Sequence, residues 1–349
     1  MRVNGNVIGA NNRPTSSTAN GIWKWDEATI NRLWNQFPTY TAPPSSTQAQ
    51  GSTSGYTSGG FIPPSGNVID KFPFASDANA TDVGDLTLSR NVGIGGQSSS
   101  ASGYTSGGRS APLTPATTNV IDKFPFASNA NATDVGDLTQ GRYAVSAQSS
   151  TASGYTCGGG NSPPFIYNIN IIDKFPFASN ANATDVGDLT QGRYGSTGQS
   201  SSASGYASGG IAPTVNHVNT IDKFPFASNA NATDVGDITV KRYLNAGQSS
   251  VVSGYTSGGY GTPLRVNVID KFPFASDANA TDVGDLTGIR DSAAGQSSTA
   301  SGYTSGGYTS SPTNARINII DKFPFSSDAN ATDVGDLTQA RMGVAGQQV

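Results

Sequence analysis

The residues best suited by type and spacing to do chemistry are side-chain oxygens. Asp77-Ala78-Asn79-Ala80-Thr81-Asp82-Val83-Gly84-Asp85 alternates them as a calcium loop does. Its first position becomes Asn129, Asn180 and Asn229 in later copies, and the twelfth-position glutamate of a helix–loop–helix site is missing. A turn held by Asx hydrogen bonds is therefore the stronger reading. Asn79-Ala80-Thr81 is formally a glycosylation sequon. Met1-Arg2-Val3-Asn4-Gly5 has no apolar signal core, so the sequon is expected to stay unmodified. His217 is the single histidine and Cys157 the single cysteine, which removes imidazole pairs, a Cys-rich zinc site and a disulfide framework. His217 reads as a loop residue, and Cys157, in the serine place of Thr-Ser-Gly-Gly, as an inert strand residue. Gly158-Gly159-Gly160 lacks the Lys-Ser/Thr of a phosphate loop. A glycosidase needs two carboxylates about 5–10 Å apart, and Asp291 is the one acid on the variable loops that departs from the repeat. The expectation is a protein that is not an enzyme and uses no cofactor or metal.

The elements that must position these residues follow from composition. Of 349 residues only 13% are charged and 35% hydrophobic, with 43 Gly and 19 Pro. Gly and Pro are penalised inside helices, which favours an all-β chain with many turns. The 15 Phe and 13 Tyr argue against disorder. A net charge of −4 leaves no basic footprint for nucleic acid. No apolar run reaches the roughly 18 residues of a transmembrane helix, so no membrane insertion is expected.

Asp-Lys-Phe-Pro-Phe recurs at Asp70, Asp122, Asp173, Asp222, Asp270 and Asp321, at intervals of 52, 51, 49, 48 and 51 residues. Each copy follows a Ser-Gly-Tyr and a Gly-Gly pair. It precedes Ala-Thr-Asp-Val-Gly-Asp and then one of Arg90, Arg142, Arg193, Arg242, Arg290 and Arg341. A unit supplies four extended segments; in the second copy these are 90–97, 101–106, 119–126 and 133–139. Pro125 should end the third strand, and Phe124 and Phe126 should share a face. A lone four-stranded sheet would leave such rings wet, whereas radial stacking hides both faces. The first copy lacks an arginine segment in front, and the chain ends with a surplus one, Arg341 to Gln347. A C-terminal strand that completes the first blade gives an all-β, six-bladed β-propeller over 51–349. Gly-Gly, the aromatic at Phe72 and its equivalents, and Val-Gly-Asp-Leu-Thr-x-x-Arg resemble the kelch-type propeller repeat. The tryptophan such units carry just before Val-Gly is replaced here by Ala80 or Thr81.

Comparing the six copies with one another locates variation after Gly-Gly and after the arginine. In an up-and-down blade these loops emerge on one side, and a rigid scaffold with variable loops is the usual form of a recognition surface. Packing that constrains those loops least is the plainer alternative. Of 24 acidic residues, 18 are the three aspartates kept in all six copies, and 12 of 20 bases are the kept Lys and Arg; these read as scaffold, with Asp–Arg pairing at blade junctions. The expected ligand face comprises Arg109, Tyr167, His217, Lys241, Tyr260, Arg265, Asp291, Tyr308 and Arg316. It is polar, aromatic and mildly cationic, suited to a glycan or a partner protein.

Residues 1–50 do not match the repeat. The stretch from Asp26 to Phe37 reads as a short helix with Asp26 as N-cap and Pro38 as stop. Ile30, Leu33, Trp34 and Phe37 form one stripe, with Trp23 and Trp25 upstream, able to pack at home or to dock on another protein. Val7-Ile8-Gly9-Ala10-Asn11-Asn12-Arg13-Pro14-Thr15, then Gly21-Ile22-Trp23 and the helix, resembles the N-terminal segment of marine tailed-bacteriophage structural proteins. Asp-Lys-Phe-Pro-Phe repeats resemble those of marine phage virion proteins. The resemblance implies a virion component, oligomeric in the particle, whose arm of 1–50 meets other virion proteins while the propeller faces outward. A tail fibre or tail-associated adhesin for a host-surface glycan or protein is the first expectation; a capsid decoration or other structural part is the second, and a carbohydrate-active enzyme the third.

Overall fold

The computed structural model describes residues 50–62, 66–110, 117–161, 169–212, 216–311 and 314–349. The expected helix and its docking residues Trp23, Trp25, Ile30, Leu33, Trp34 and Phe37 lie outside the described residues, as does Tyr167. What is described is all-β: six four-stranded antiparallel sheets arranged as the blades of a propeller.

Blade two shows the plan, with strands Gly95–Ser98, Ser102–Ser106, Val120–Pro125 and Thr133–Asp137 running from the axis outward. The third strand does end at Pro125, whose ring nitrogen has no hydrogen to give a ladder. The inner strand is shorter than the expected 90–97, because Arg90 and Asn91 pair instead with the loop residues Ser110 and Arg109. Gly103 stands opposite Phe124 in register. A Cβ there would collide with the Phe124 ring, so the glycine of Ser-Gly-Tyr lets the ring lie across the second strand.

The core sits between blades rather than within them. Tyr56, Ile69 and Leu86 of blade one pack against Phe124, Phe126 and Ala132 of blade two, and the other junctions repeat the pattern. The last junction closes the circle, with Tyr303, Ile320 and Leu337 of blade six against Phe72 and Ala80 of blade one. Phe124 and Phe126 do share a face, edge to ring at 5.8 Å, both against Tyr56.

Blade one is built from both ends of the repeat array. Ala345–Gln348 pairs antiparallel with Ser54–Ser58, Gly55 opposite Gln348. The N–H groups of Ser52, Thr53 and Ser54 all donate to the Val349 carbonyl.

Polar ties cross every junction. Arg90 and Asp122 meet at 2.9 Å with both side chains fully buried, and the other five junctions hold the same pair, ending with Arg341 and Asp70 at 2.9 Å. Asp122 also accepts the Thr87 N–H and hydroxyl. Arg90 donates to the carbonyls of Thr105, Gly107 and Val120. Burial pulls the Arg90 pKa down, and the charge of Asp122 opposes that shift. The expected Asx turn is present as well: Asp82 accepts the Gly84 N–H, and Asn131 of the next blade accepts the Asp85 N–H.

Arg341→Met leaves Asp70 buried without its charge partner. It should lower stability by about 3–5 kcal/mol in urea melts, as breaking buried pairs does; a loss below about 1 kcal/mol would show that closure does not depend on the pair. Cys157 is fully buried, and burial pushes its thiol pKa far up. A thiol reagent should leave it unmodified in native protein and label it within the unfolding transition.

Candidate recognition face

The two variable loops meet on one side because backbone bridges tie them together. Tyr143 bridges to Gly160, Tyr194 to Ile211, Asp291 to Tyr308 and Phe61 to Met342; in blade five, Arg242 and Tyr243 pair with Gly261 and Tyr260. At each of these seams the residue after the arginine joins the residue after the double glycine. The expectation that both variable segments share a face holds.

Around the axis on this side the chain makes a tight ring. Ala144, Gly195, Leu244, Ser292 and Gly343 all have φ between 53 and 71°. Gly195 N–H donates to Ala144 O, Leu244 to Gly195, Ser292 to Leu244 and Gly343 to Ser292, each at 2.7 Å. Left-handed backbone is costly for Ala144, Leu244 and Ser292, which have a Cβ, and this ladder offsets that cost.

Outside the ring, blades four to six gather an aromatic and charged cluster. Tyr243 sits 5.6 Å from Tyr260, 6.3 Å from Tyr194 and 5.1 Å from His217, ring centre to ring centre. His217 belongs to a two-residue strand, Asn216–His217, rather than to a free loop, and its Nδ1 lies 2.6 Å from the Thr262 hydroxyl. Burial lowers the His217 pKa. The Arg265 guanidinium stacks between Tyr260 at 5.2 Å and Tyr308 at 4.7 Å, with Nε 2.5 Å from Asp291. Burial raises the Tyr243 pKa, and the nearby charge of Asp291 adds to it. Asp291 is pushed up by its own burial; its Ser292 hydrogen bond and the Arg265 charge oppose that without reversing it.

The other expected residues lie apart. Arg109 stacks on Tyr143 at 3.9 Å, and Arg316 lies over Phe61 at 5.0 Å. Lys241 is exposed beside the buried Arg242. Of the expected cations, Arg265 has a carboxylate partner in Asp291, Arg109 and Arg316 keep their charge over aromatic rings, and Lys241 is exposed. Sequence reasoning left Phe61, Tyr143, Tyr194 and Tyr243 out of the site. Their signal was positional: all four occupy the variable places, with tyrosine recurring after three arginines.

No family model matches the chain, and no curated protein matches it. Among solved structures it is similar to the structure of YjhT, with a TM-score of 0.61 and 11% identity over 81% of this chain and 98% of that one. At that identity the likeness shows the fold alone, a propeller. It corrects one expectation from the sequence. The statement that this chain is not an enzyme does not stand, because the scaffold it shares with YjhT is no ground for excluding catalysis. Asp291, the acid on which that count turned, is buried, and burial raises its pKa.

A carboxylic acid with a pKa raised by folding contributes stability at low pH that is lost as pH rises through the folded value. Asp291→Asn should therefore match the parent near pH 4 and gain on it as pH rises to 7, read as the difference in urea midpoint. A difference that moves the other way would mean that Arg265 outweighs burial at this site.

Proposed function

We propose that the chain is a virion component whose propeller presents its variable face for recognition of a host-surface glycan or protein, as a tail fibre or tail-associated adhesin. One observation carries the reading. The places that vary among six otherwise near-identical units are tied pairwise into seams on one face, and across blades four to six their side chains converge on one cluster.

The chemistry of that cluster suits a sugar. Tyr243, Tyr260, Tyr308 and His217 supply flat apolar faces with polar edges, and such residues anchor recognition surfaces at little entropic cost. Arg265 is pre-positioned by two rings and a carboxylate, so little rotamer freedom is lost when it donates to a ligand. The virion assignment rests on the resemblance of the first forty or so residues and of the Asp-Lys-Phe-Pro-Phe repeats to phage structural proteins. The kelch-like character of the repeat rests on its Gly-Gly and Val-Gly-Asp motifs.

Binding of the purified full chain to host cells and to immobilised envelope glycans tests the reading. Tyr260→Ala with Arg265→Ala should weaken that binding tenfold or more, about 1.4 kcal/mol, as loss of an aromatic–arginine anchor does. Lys123→Glu, on the strand that leads to the opposite face, should leave it unchanged. Equal binding by all three proteins would sink the proposal.

A further inference from the structure

The aromatic cluster continues past blade six. Arg316 stands opposite Tyr308 in a two-residue ladder, Tyr308–Thr309 against Ala315–Arg316. Residues directly opposite in an antiparallel pair turn their side chains to the same face. Tyr308 therefore has two arginines for neighbours: Arg316, and Arg265 with its guanidinium 4.7 Å from the ring centre. Arg316 in turn lies over Phe61 of blade one at 5.0 Å. At the other end, Arg265 lies over Tyr260 at 5.2 Å, and Tyr260 is 5.6 Å from Tyr243. The contacts make a row across blades five, six and one: Tyr243, Tyr260, Arg265, Tyr308, Arg316 and Phe61. All six are half-buried, so each leaves part of its side chain to solvent. From Tyr260 onward, rings and guanidinium groups alternate.

Charge is divided unevenly over the propeller. Apart from the buried Arg–Asp pairs, every copy keeps one lysine and two aspartates, and Asp77, Asp277 and Asp328 add to the acids. The constant surface is therefore acidic. The variable places carry Arg109, Lys241, Arg265 and Arg316 against Asp291 alone. Such a field draws an anionic ligand to the variable face and repels it from the rest. Among the described residues Arg316 has a ring partner but no carboxylate. Asp291 meets Arg265 at Nε, and a guanidinium carries several N–H donors, so Arg265 still has donors to give. The planar guanidinium fork is the side chain that matches a carboxylate with two parallel hydrogen bonds.

We propose that this row binds a linear acidic glycan, a sugar chain with a carboxylate on successive rings, laid along blades five, six and one. The proposal rests on the recognition reading and names its ligand. Sugar rings of the chain lie on Tyr260, Tyr308 and Phe61, and their carboxylates meet Arg265 and Arg316. A sugar acid carries its flat face and its charge in one unit, as the alternation requires. An acidic peptide has charge without the flat face, and a single sugar reaches one step of the row only.

The test titrates the full chain with four probes: galacturonic acid, hexagalacturonate, the methyl ester of that hexamer, and hexaglutamate. The hexamer should bind at least tenfold more tightly than each of the other three, and added salt should weaken it. Arg316→Gln should weaken hexamer binding at least tenfold. Lys123→Gln removes the same charge from a strand of blade two and should leave binding within twofold. No binding of the hexamer, equal binding of its ester or of the single sugar, tighter binding of hexaglutamate, or an unchanged Arg316→Gln variant would overturn the proposal. The two readings fail separately. If the hexamer result fails while Tyr260→Ala with Arg265→Ala still abolishes binding to host cells, the recognition face stands with a ligand of another kind. Arg316-dependent binding of the hexamer by a chain that binds no cell and no envelope glycan keeps the row and sinks the recognition reading.

Discussion

A guanidinium with no exposed surface must satisfy its charge and its donors inside the protein, and this fold meets that demand six times with partners from the next blade. Arg90 finds three carbonyls and Asp122, and Asp122 in turn takes Thr87. No single blade contains the set. The unpaired alternative is so unfavourable that each blade specifies the place and tilt of its neighbour, and six identical steps return the chain to its start. The apolar contribution follows the same logic, since Tyr56 of one blade and Phe124 of another form one cluster. Stability and shape therefore reside in the junctions.

Because the junctions carry the constant residues, what is left to vary is what they do not touch. The loops after the double glycine and after the arginine stand outside the buried ties, although they begin and end on residues that are inside them. Gly-Gly is held by backbone bonds to the arginine's own carbonyl, as Gly108 is to Arg142. The variable segments thus leave from a fixed geometry, and the contacts of Arg265 with Tyr260, Tyr308 and Asp291 can form without any adjustment of the frame.

Much of this was legible in the sequence for a physical reason. Repetition turns one chain into six observations of the same packing problem, so Asp122 and Arg90 announced a pairing, Pro125 a strand end, and the surplus Arg341 segment a closing strand. The partners of individual side chains were less legible. Nothing in the spacing showed that Arg109 would be held by Tyr143 or Arg316 by Phe61, because those contacts cross between loops of different length. The exclusion of catalysis rested on a count of carboxylates, and a scaffold shared with YjhT gives no ground for it.

The bridges that join the variable loops have a hereditary consequence. Tyr143 and Gly160, or Asp291 and Tyr308, lie within one stretch of fewer than twenty residues, flanked on both sides by tracts nearly identical in every copy. A crossover in the Phe-Pro-Phe or Val-Gly-Asp tracts moves both halves of such a seam together. Shuffling among copies therefore exchanges whole, already matched cassettes, and the gene can reassort its variable loops without breaking the backbone pairings that give each cassette its form.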